Sequence, residues 1–164
     1  MTLEKDINQH VFRSEYQKAA LNLIYTFNWA NEKINRQFEP FDITQQQFNI
    51  LRILRGAGQP LSTLQIRQRM LDKMSDTSRI VDRLIKKGLV KKTVCREDRR
   101  LVDVLLTDKG KKLLQTMDAL NEEMDAIFKC LSDGEARQLN VLLDKIRSFE
   151  TAPAEKPVEN HTTG

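Results

Sequence analysis

The chain has 164 residues, 40% hydrophobic and 30% charged, a composition typical of a folded globular protein rather than a disordered one. Its longest apolar runs fall far short of the roughly 18 residues that a membrane-spanning helix needs, and its first residues lack the apolar core of a secretion signal. Two widely separated cysteines fit a reducing cytoplasm better than a disulfide framework, and two histidines near the chain ends argue against histidine-based metal or catalytic sites.

The net charge of +4 conceals a segregated pattern. Residues 52–112 contain 17 lysines and arginines against 7 acidic residues, a net charge of +10, whereas the rest of the chain has a net charge of −6. A basic segment between acidic flanks is typical of a protein that binds a polyanion such as nucleic acid. The alternative is a basic face that is merely solvated, because charge alone carries no geometry.

Two helices are predicted in the first third of the chain. Apolar residues recur at helical spacing from about residue 10 to residue 38, and Pro40 ends the pattern. The apolar face of this long helix is expected to comprise Phe12, Tyr16, Ala19, Leu23, Phe27, Ala30, Ile34 and Phe38. Thr44 is then expected to cap a second helix that ends at Gly56.

The next two helices form a candidate helix-turn-helix. After a stub of strand at residues 60–61, Ser62 is placed to cap a short helix with Leu64 and Ile66 as its apolar contacts. LDKMSD interrupts this helix, and Ser75 is predicted to cap a second one that ends at Gly88. The core positions of the second helix are Thr77, Ile80, Val81, Leu84 and Ile85. Helical pairs are common, so this signal is weak by itself.

Two strands follow, at residues 90–95 and 101–106, with the charged sequence REDRR at the tip of the predicted hairpin. A helix-turn-helix followed directly by a hairpin is a winged helix, which is much more specific than either part. We therefore predict a mainly α fold with a small antiparallel β-hairpin wing. The winged helix-turn-helix domain is expected at residues 41–107, preceded by an N-terminal dimerisation helix over residues 1–40.

Two more helices are predicted at the C-terminal end. Thr107 begins the first, whose apolar residues are spaced four and three apart in a heptad seam, and Ser132 opens the second with a capping-box sequence. Such a seam is more often intramolecular core than interface. Here the small central domain cannot bury both segments, so we expect residues 108–150 to dimerise, followed by a disordered tail over residues 151–164. The expected interface residues are Leu113, Met117, Leu120, Met124, Ile127, Leu131, Leu142 and Ile146.

The second helix of the candidate helix-turn-helix has the polar face that a major-groove reader needs. The major groove of B-DNA, about 12 Å wide, admits one α-helix. Removing the core positions leaves a set that we assign to DNA contact: Ser75, Asp76, Ser78, Arg79, Arg83 and Lys86. Asp76 could accept from a cytosine amino group or simply favour the helix start. The alternative for Arg79 and Arg83 is that they pair with Asp82 or with a neighbouring helix.

The wing supplies the second predicted contact. A β-tip beside a major-groove helix lies near the adjacent minor groove, whose negative potential attracts arginine. We assign Lys91, Lys92, Arg96, Asp98, Arg99 and Arg100 to this contact, with the two lysines on phosphates. Arg100 is the first choice for the groove and Arg99 the second, and Asp98 is expected to brace Arg100.

SRIVDRLIKKGLV at residues 78–90, followed by EDRRLVDVLLTDKG at residues 97–110, resembles the MarR family of bacterial transcription regulators. The D-x-R wing motif of the family matches at Asp98 and Arg100, and its V-x-L-T strand exit matches at residues 104–107. The resemblance covers roughly residues 10–150. It implies a homodimer whose first, fifth and sixth helices interlace and whose two winged helices bind pseudo-palindromic double-stranded DNA, most commonly for repression.

The resemblance also implies a small effector, often aromatic or anionic, that binds between the dimerisation helices and the winged helix and lowers DNA affinity. Candidate pocket residues are Tyr25, Phe27, Trp29 and Arg52. The alternative for Phe27 and Trp29 is ordinary core. Cys95 could have a lowered pKa beside basic neighbours, but an inert wing cysteine is the simpler interpretation.

A winged helix could instead dock an acidic protein partner through the same basic surface. An enzyme is not predicted, because the sequence shows no nucleophile–base pair, metal cluster or phosphate-binding loop, and no cofactor is expected.

Overall fold

The computed structural model describes residues 2–94 and 102–148. Their helices are α1 (Leu3–Asp6), α2 (Glu15–Phe38), α3 (Gln45–Ala57), α4 (Thr63–Arg69), α5 (Thr77–Lys86), α6 (Asp108–Met117), α7 (Leu120–Ala126) and α8 (Asp133–Ser148), with a 3-10 turn at Glu39–Phe41. The strands are β1 (Leu61–Ser62), β2 (Val90–Val94) and β3 (Val102–Leu106). None of the described helices combines the length and apolar character needed to cross a membrane.

The long N-terminal helix begins later than predicted. It starts after Ser14, whose hydroxyl accepts a hydrogen bond from the Gln17 amide at 3.2 Å, so the predicted start near residue 10 is wrong. The short helix α1 precedes it and buries Leu3. Apolar spacing continued past the cap and therefore could not locate it.

The apolar face predicted for this helix is largely uncovered. Ala30 and Phe38 are buried, whereas Tyr16, Leu23 and Phe27 are exposed, so the fold of this chain buries only part of the face. Regular spacing showed that α2 is amphipathic without showing what covers it.

The first two helices of the winged helix, α3 and α4, begin where local sequence predicted. Thr44 and Gln47 form a reciprocal capping box at the start of α3, and Ser62 and Gln65 form another at α4. The end of α3 differs from the prediction: the helix runs through Gly56 and stops at Gly58, which has a φ of 65°.

The three strands form one antiparallel sheet in the order β1-β3-β2. Val90 pairs with Leu106 and Val94 with Val102, while the two-residue stub β1 pairs Leu61 with Val104. The winged helix-turn-helix architecture is thus confirmed within the described residues. The tip of the wing, residues 95–101, lies outside them.

The core of the winged helix also takes in the helices that follow it. Leu114, Met117 and Leu120 are buried among the side chains of α3, α5 and the sheet, and Leu113 and Met124 pack partly against the same cluster. Met117 and Leu120 therefore belong to the core of this chain, and their assignment to a dimer interface was wrong. The predicted continuous helix is also divided, because α6 ends at Met117 and α7 begins at Leu120.

The chain separates into two compact units, one extending to Ile127 and the other beginning at Phe128. Helix α8 lies in the second and begins with the predicted capping box: the Ser132 amide donates to Glu135 at 2.8 Å and the Glu135 amide to the Ser132 hydroxyl at 3.4 Å. The amide and the hydroxyl of Ser132 both donate to the Glu135 carboxylate, and these two bonds lower the pKa of Glu135. Helix α8 has no buried residue, and both Leu142 and Ile146 are at least half exposed.

Candidate nucleic-acid interface

Helix α5 is capped by Asp76 rather than by the predicted Ser75. An Asp76 carboxylate oxygen accepts from the Arg79 amide at 3.1 Å. The hydroxyl of Ser75 donates instead to the Asp72 carbonyl oxygen at 2.8 Å. Both residue types are good caps, so the choice was decided by the preceding turn and not by helix preference.

That turn is organised by Asp72. One of its carboxylate oxygens accepts from the Met74 amide at 3.0 Å, and the other accepts from the Gln46 side chain of α3, also at 3.0 Å. The Lys73 ammonium group donates to the Gln68 carbonyl oxygen at 2.6 Å. These bonds fix the approach to α5 from both α3 and α4.

Helix α5 has two faces of opposite character. One face is buried and consists of Thr77, Ile80, Val81 and Leu84, as the sequence predicted. The other is exposed and presents Ser78, Arg79, Asp82, Arg83 and Lys86. Since burial of the first face anchors the helix against the core, the second is held outward as one continuous polar surface.

The ion pairs on this surface leave most of its positive charge available. Arg79 makes only a loose contact with Asp76, at 4.0 Å, and Asp82 pairs with Lys92 of β2 at 3.3 Å. Both pairs are exposed, so each contributes little to stability. The predicted alternative, in which Asp82 holds Arg79 or Arg83, is not observed, and Arg83 forms no ion pair within residues 2–94 and 102–148.

The wing is only partly described. Lys91 and Lys92 are exposed on β2, in the positions predicted for phosphate contact. The other wing residues assigned to DNA, Arg96, Asp98, Arg99 and Arg100, lie outside the described residues together with Cys95. Cys130 is an exposed free cysteine.

Sequence reasoning missed part of this surface. Leu64 was expected to pack inward beside Ile66, but only Ile66 is buried, whereas Leu64 is exposed. A cleft of about 470 Å³ lies between the N-terminal ends of α4 and α5, and its lining includes Leu64, Arg67 and Met74. The signal for Leu64 was available: it lies two residues before Ile66, and residues two apart on a helix face different directions.

The residues predicted to form an effector pocket are not brought to one place. Tyr25 and Trp29 line a cleft of about 570 Å³ between α1 and α2. Phe27 lines a different cleft, of about 640 Å³, beside α3. Arg52 lines neither, and its guanidinium carbon lies 5.8 Å from the centre of the Phe48 ring.

The lining of the cleft that contains Tyr25 and Trp29 includes an ion pair. Lys18 of α2 lies 2.6 Å from the Glu4 carboxylate of α1. The hydrogen bond from Lys18 is the main cause of a Glu4 pKa of about 2, and it also raises the pKa of Lys18. This contact ties α1 to the longer helix.

Known proteins match both the sequence and the fold. Residues 41–101 match the sequence model of the MarR family. A protein of Bacillus subtilis (strain 168), described as an uncharacterized HTH-type transcriptional regulator, is 28% identical over 109 residues, which make up 66% of this chain and 68% of that protein.

Solved structures extend the similarity to most of the chain. The MarR transcription factor of Planctomyces limnophilus is 33% identical, with a TM-score of 0.60, and the match covers 87% of this chain and 100% of that one. A mutant of E. coli MarR, crystallised in complex with operator DNA, is 27% identical, with a TM-score of 0.68, over 76% of this chain and 91% of that one.

Proposed function

This chain belongs to the MarR family of DNA-binding transcriptional regulators, and on that premise we propose that it binds a pseudo-palindromic operator as a homodimer. In the proposed complex, α5 enters the major groove and a wing arginine enters the adjacent minor groove. The family is one of transcriptional regulators rather than enzymes. The residues proposed to bind DNA are those assigned from the sequence, on α5 and on the wing.

The observation that carries this proposal is the exposed face of α5. Ser78, Arg79 and Arg83 project from a helix whose opposite side is fixed in the core, so they can enter a groove without unfolding anything. Arginine reads guanine through two parallel hydrogen bonds, whereas serine can bond to any base. Lys91 and Lys92 would then contact phosphates and set the register without reading sequence.

Homodimerisation is supported by apolar surface that the chain leaves uncovered. Helix α2 exposes Leu23, Ile24 and Phe27, and helix α8 exposes Leu142 and Ile146. Contiguous apolar surface of this kind marks an interaction site in a soluble protein. We therefore assign dimerisation to residues 1–40 and 108–150, on either side of a DNA-binding domain at residues 41–107.

The effector proposal is narrower than the sequence suggested. We propose that a small aromatic compound enters the cleft beside Tyr25 and Trp29 and lowers DNA affinity, so that the protein acts as a ligand-responsive repressor. An anionic compound would have to compete with Glu4 for Lys18, which favours aromatic character over negative charge. Quenching of Trp29 fluorescence by the compound that releases DNA would support this cleft.

The direct test is selection of bound duplexes from a random library. We expect an enriched motif with two-fold symmetry, bound with an affinity whose logarithm falls linearly with the logarithm of salt concentration. The double variant Arg99→Ala, Arg100→Ala should weaken this binding. Absence of an enriched motif, or an affinity that does not change with salt concentration, would contradict the proposal. Capture of an acidic protein by a chain without specific DNA affinity would favour a protein-docking winged helix instead.

A further inference from the structure

The cleft between the N-terminal ends of α4 and α5 differs from the basic surface around it. Two of its lining side chains are apolar: Met74, which is 93% exposed, and Leu64, which is 64% exposed. Neither side chain belongs to the core, so the fold does not require an apolar residue at either position. Two such side chains in one cleft form a contact surface rather than isolated exposed residues.

The same cleft contains polar groups suited to the edge of a base. Ser78 lines it with an exposed hydroxyl, and Arg67 lines it with a positive charge that suits a nearby phosphate. Asp76 also lies there, but one of its oxygens is already engaged by the Arg79 amide. An apolar wall beside a hydroxyl donor is therefore the distinctive chemistry of this site.

Thymine is the base that matches this chemistry. In the major groove it presents the O4 acceptor next to the C5-methyl group, whereas cytosine presents an amino donor and no methyl group, and the purines carry no methyl group. We propose that the cleft reads a thymine, with the methyl group against Met74 and Leu64 and O4 accepting from the Ser78 hydroxyl. This inference rests on the proposed function, because it needs α5 in the major groove.

The test uses base analogues in a duplex that the wild-type chain has selected. Each thymine is replaced in turn by deoxyuridine, which lacks only the methyl group, by cytosine, and by 5-methylcytosine, which restores only the methyl group. At one thymine of each half-site, deoxyuridine should weaken wild-type binding about fourfold, the effect of removing one buried methyl group. 5-Methylcytosine should bind better than cytosine at the same position.

Variants assign the effect to this cleft. Met74→Ala and Leu64→Ala should bind the thymine duplex more weakly than wild type and should discriminate less between thymine and deoxyuridine. Leu71→Ala is the matched control, because Leu71 is 79% exposed in the same turn but lines a different cleft. It should keep the wild-type preference. Thermal unfolding of all three variants should match wild type, since all three side chains are exposed.

The outcomes separate the inference from the function on which it rests. If the wild-type chain selects no duplex, both fail. If it selects a duplex but no thymine shows dependence on its methyl group, the cleft does not read thymine, while the proposed function stands. The inference is likewise overturned if both cleft variants keep the wild-type ratio of thymine to deoxyuridine affinity.

Discussion

On the exposed face of α5, Asp82 is the one acidic residue among several basic and hydroxyl side chains of the helix. Its carboxylate lies 3.3 Å from the Lys92 ammonium group of β2 and so neutralises a positive charge that could otherwise bind a phosphate. Its own negative charge would also face the duplex. In the proposed complex, this carboxylate would therefore lower the affinity of the surface for DNA.

We predict that Asp82→Asn raises DNA affinity. The change removes a repulsive charge and frees Lys92, so the slope of log affinity against log salt concentration should steepen by up to about one. Fluorescence anisotropy with the selected duplex at several salt concentrations measures both quantities. Asp144→Asn, which breaks an ion pair with Arg147 on α8, is the matched control and should leave both unchanged. Weaker binding by Asp82→Asn would contradict this account of the surface.

Residues whose roles are set locally were predictable. The caps at Thr44, Ser62 and Thr107 depend on side chains within three residues, and each is where the sequence indicated. The cap of α5 was not predictable in this way. Ser75 and Asp76 compete for it, and the outcome depends on Asp72, which Gln46 holds from a distant part of the chain.

At the scale of elements, α6 begins in direct contact with the backbone that follows α5. The Thr107 hydroxyl donates to the Gly88 carbonyl oxygen at 2.7 Å, and its amide donates to the Leu89 carbonyl oxygen at 3.1 Å. A Cβ atom on Gly110 would lie 2.2 Å from that Leu89 oxygen. The glycine is therefore required for close packing of α6 and not for its backbone angles.

We predict that Gly110→Ala destabilises the fold by about 1–3 kcal/mol or more, because a rigid backbone oxygen cannot yield as a side chain could. Chemical denaturation measures the free energy of unfolding. Gly56→Ala provides the control, since a Cβ atom there meets nothing within 4 Å and the residue lies inside α3. That variant should gain stability, by up to about 1 kcal/mol. Equal effects of the two changes would refute the packing argument.

The attachment of α1 should depend on pH. The pKa of Glu4 is about 2 in the folded chain, against an ordinary value of 4.5, because Lys18 stabilises the carboxylate. A lowered pKa stabilises the folded form fully above pH 4.5, and this contribution is lost as the pH falls towards 2. Protonation should therefore release α1 in that window.

Trp29 reports this release, because it is the one tryptophan of the chain and lines the same cleft as Glu4. We predict a change in its emission between pH 4.5 and 2 that Glu4→Gln largely abolishes by removing the titrating group. Circular dichroism over the same range separates this local change from general unfolding. An emission change of equal size in the Glu4→Gln variant would assign the transition to other groups.

The apolar faces of the helices were predicted better than the surfaces that cover those faces. Apolar spacing indicated amphipathic helices at α2, α3 and α5, but it could not show which surface covers the face of α2, where only Ala30 and Phe38 are buried. The heptad spacing was assigned to an interface at Met117 and Leu120, although both side chains belong to the core. Periodicity reports that a face is apolar, and only the fold decides which surface meets it.

For the whole molecule, the uncovered apolar residues of α2 and α8 predict self-association. Placing a charge in each face, as in Phe27→Asp with Ile146→Asp, should produce a folded monomer, because both side chains are exposed and not needed for the core. Sedimentation equilibrium measures the mass, and circular dichroism checks folding. Replacing exposed Met74 by Asp, in the DNA-binding domain and outside both dimerisation segments, is the control and should leave the dimer intact. A wild-type chain that stays monomeric at all concentrations would contradict the dimer.

The central claim is that two copies of α5 lie in successive major grooves on one side of a duplex. Methylation protection of guanine N7 atoms, which lie in the major groove, tests this claim most directly on the selected operator. The account predicts two protected clusters related by two-fold symmetry, with centres one helical turn of about 10–10.5 base pairs, or a multiple of it, apart. A single protected cluster, or specific binding that leaves guanine N7 atoms unprotected in both half-sites, would contradict it.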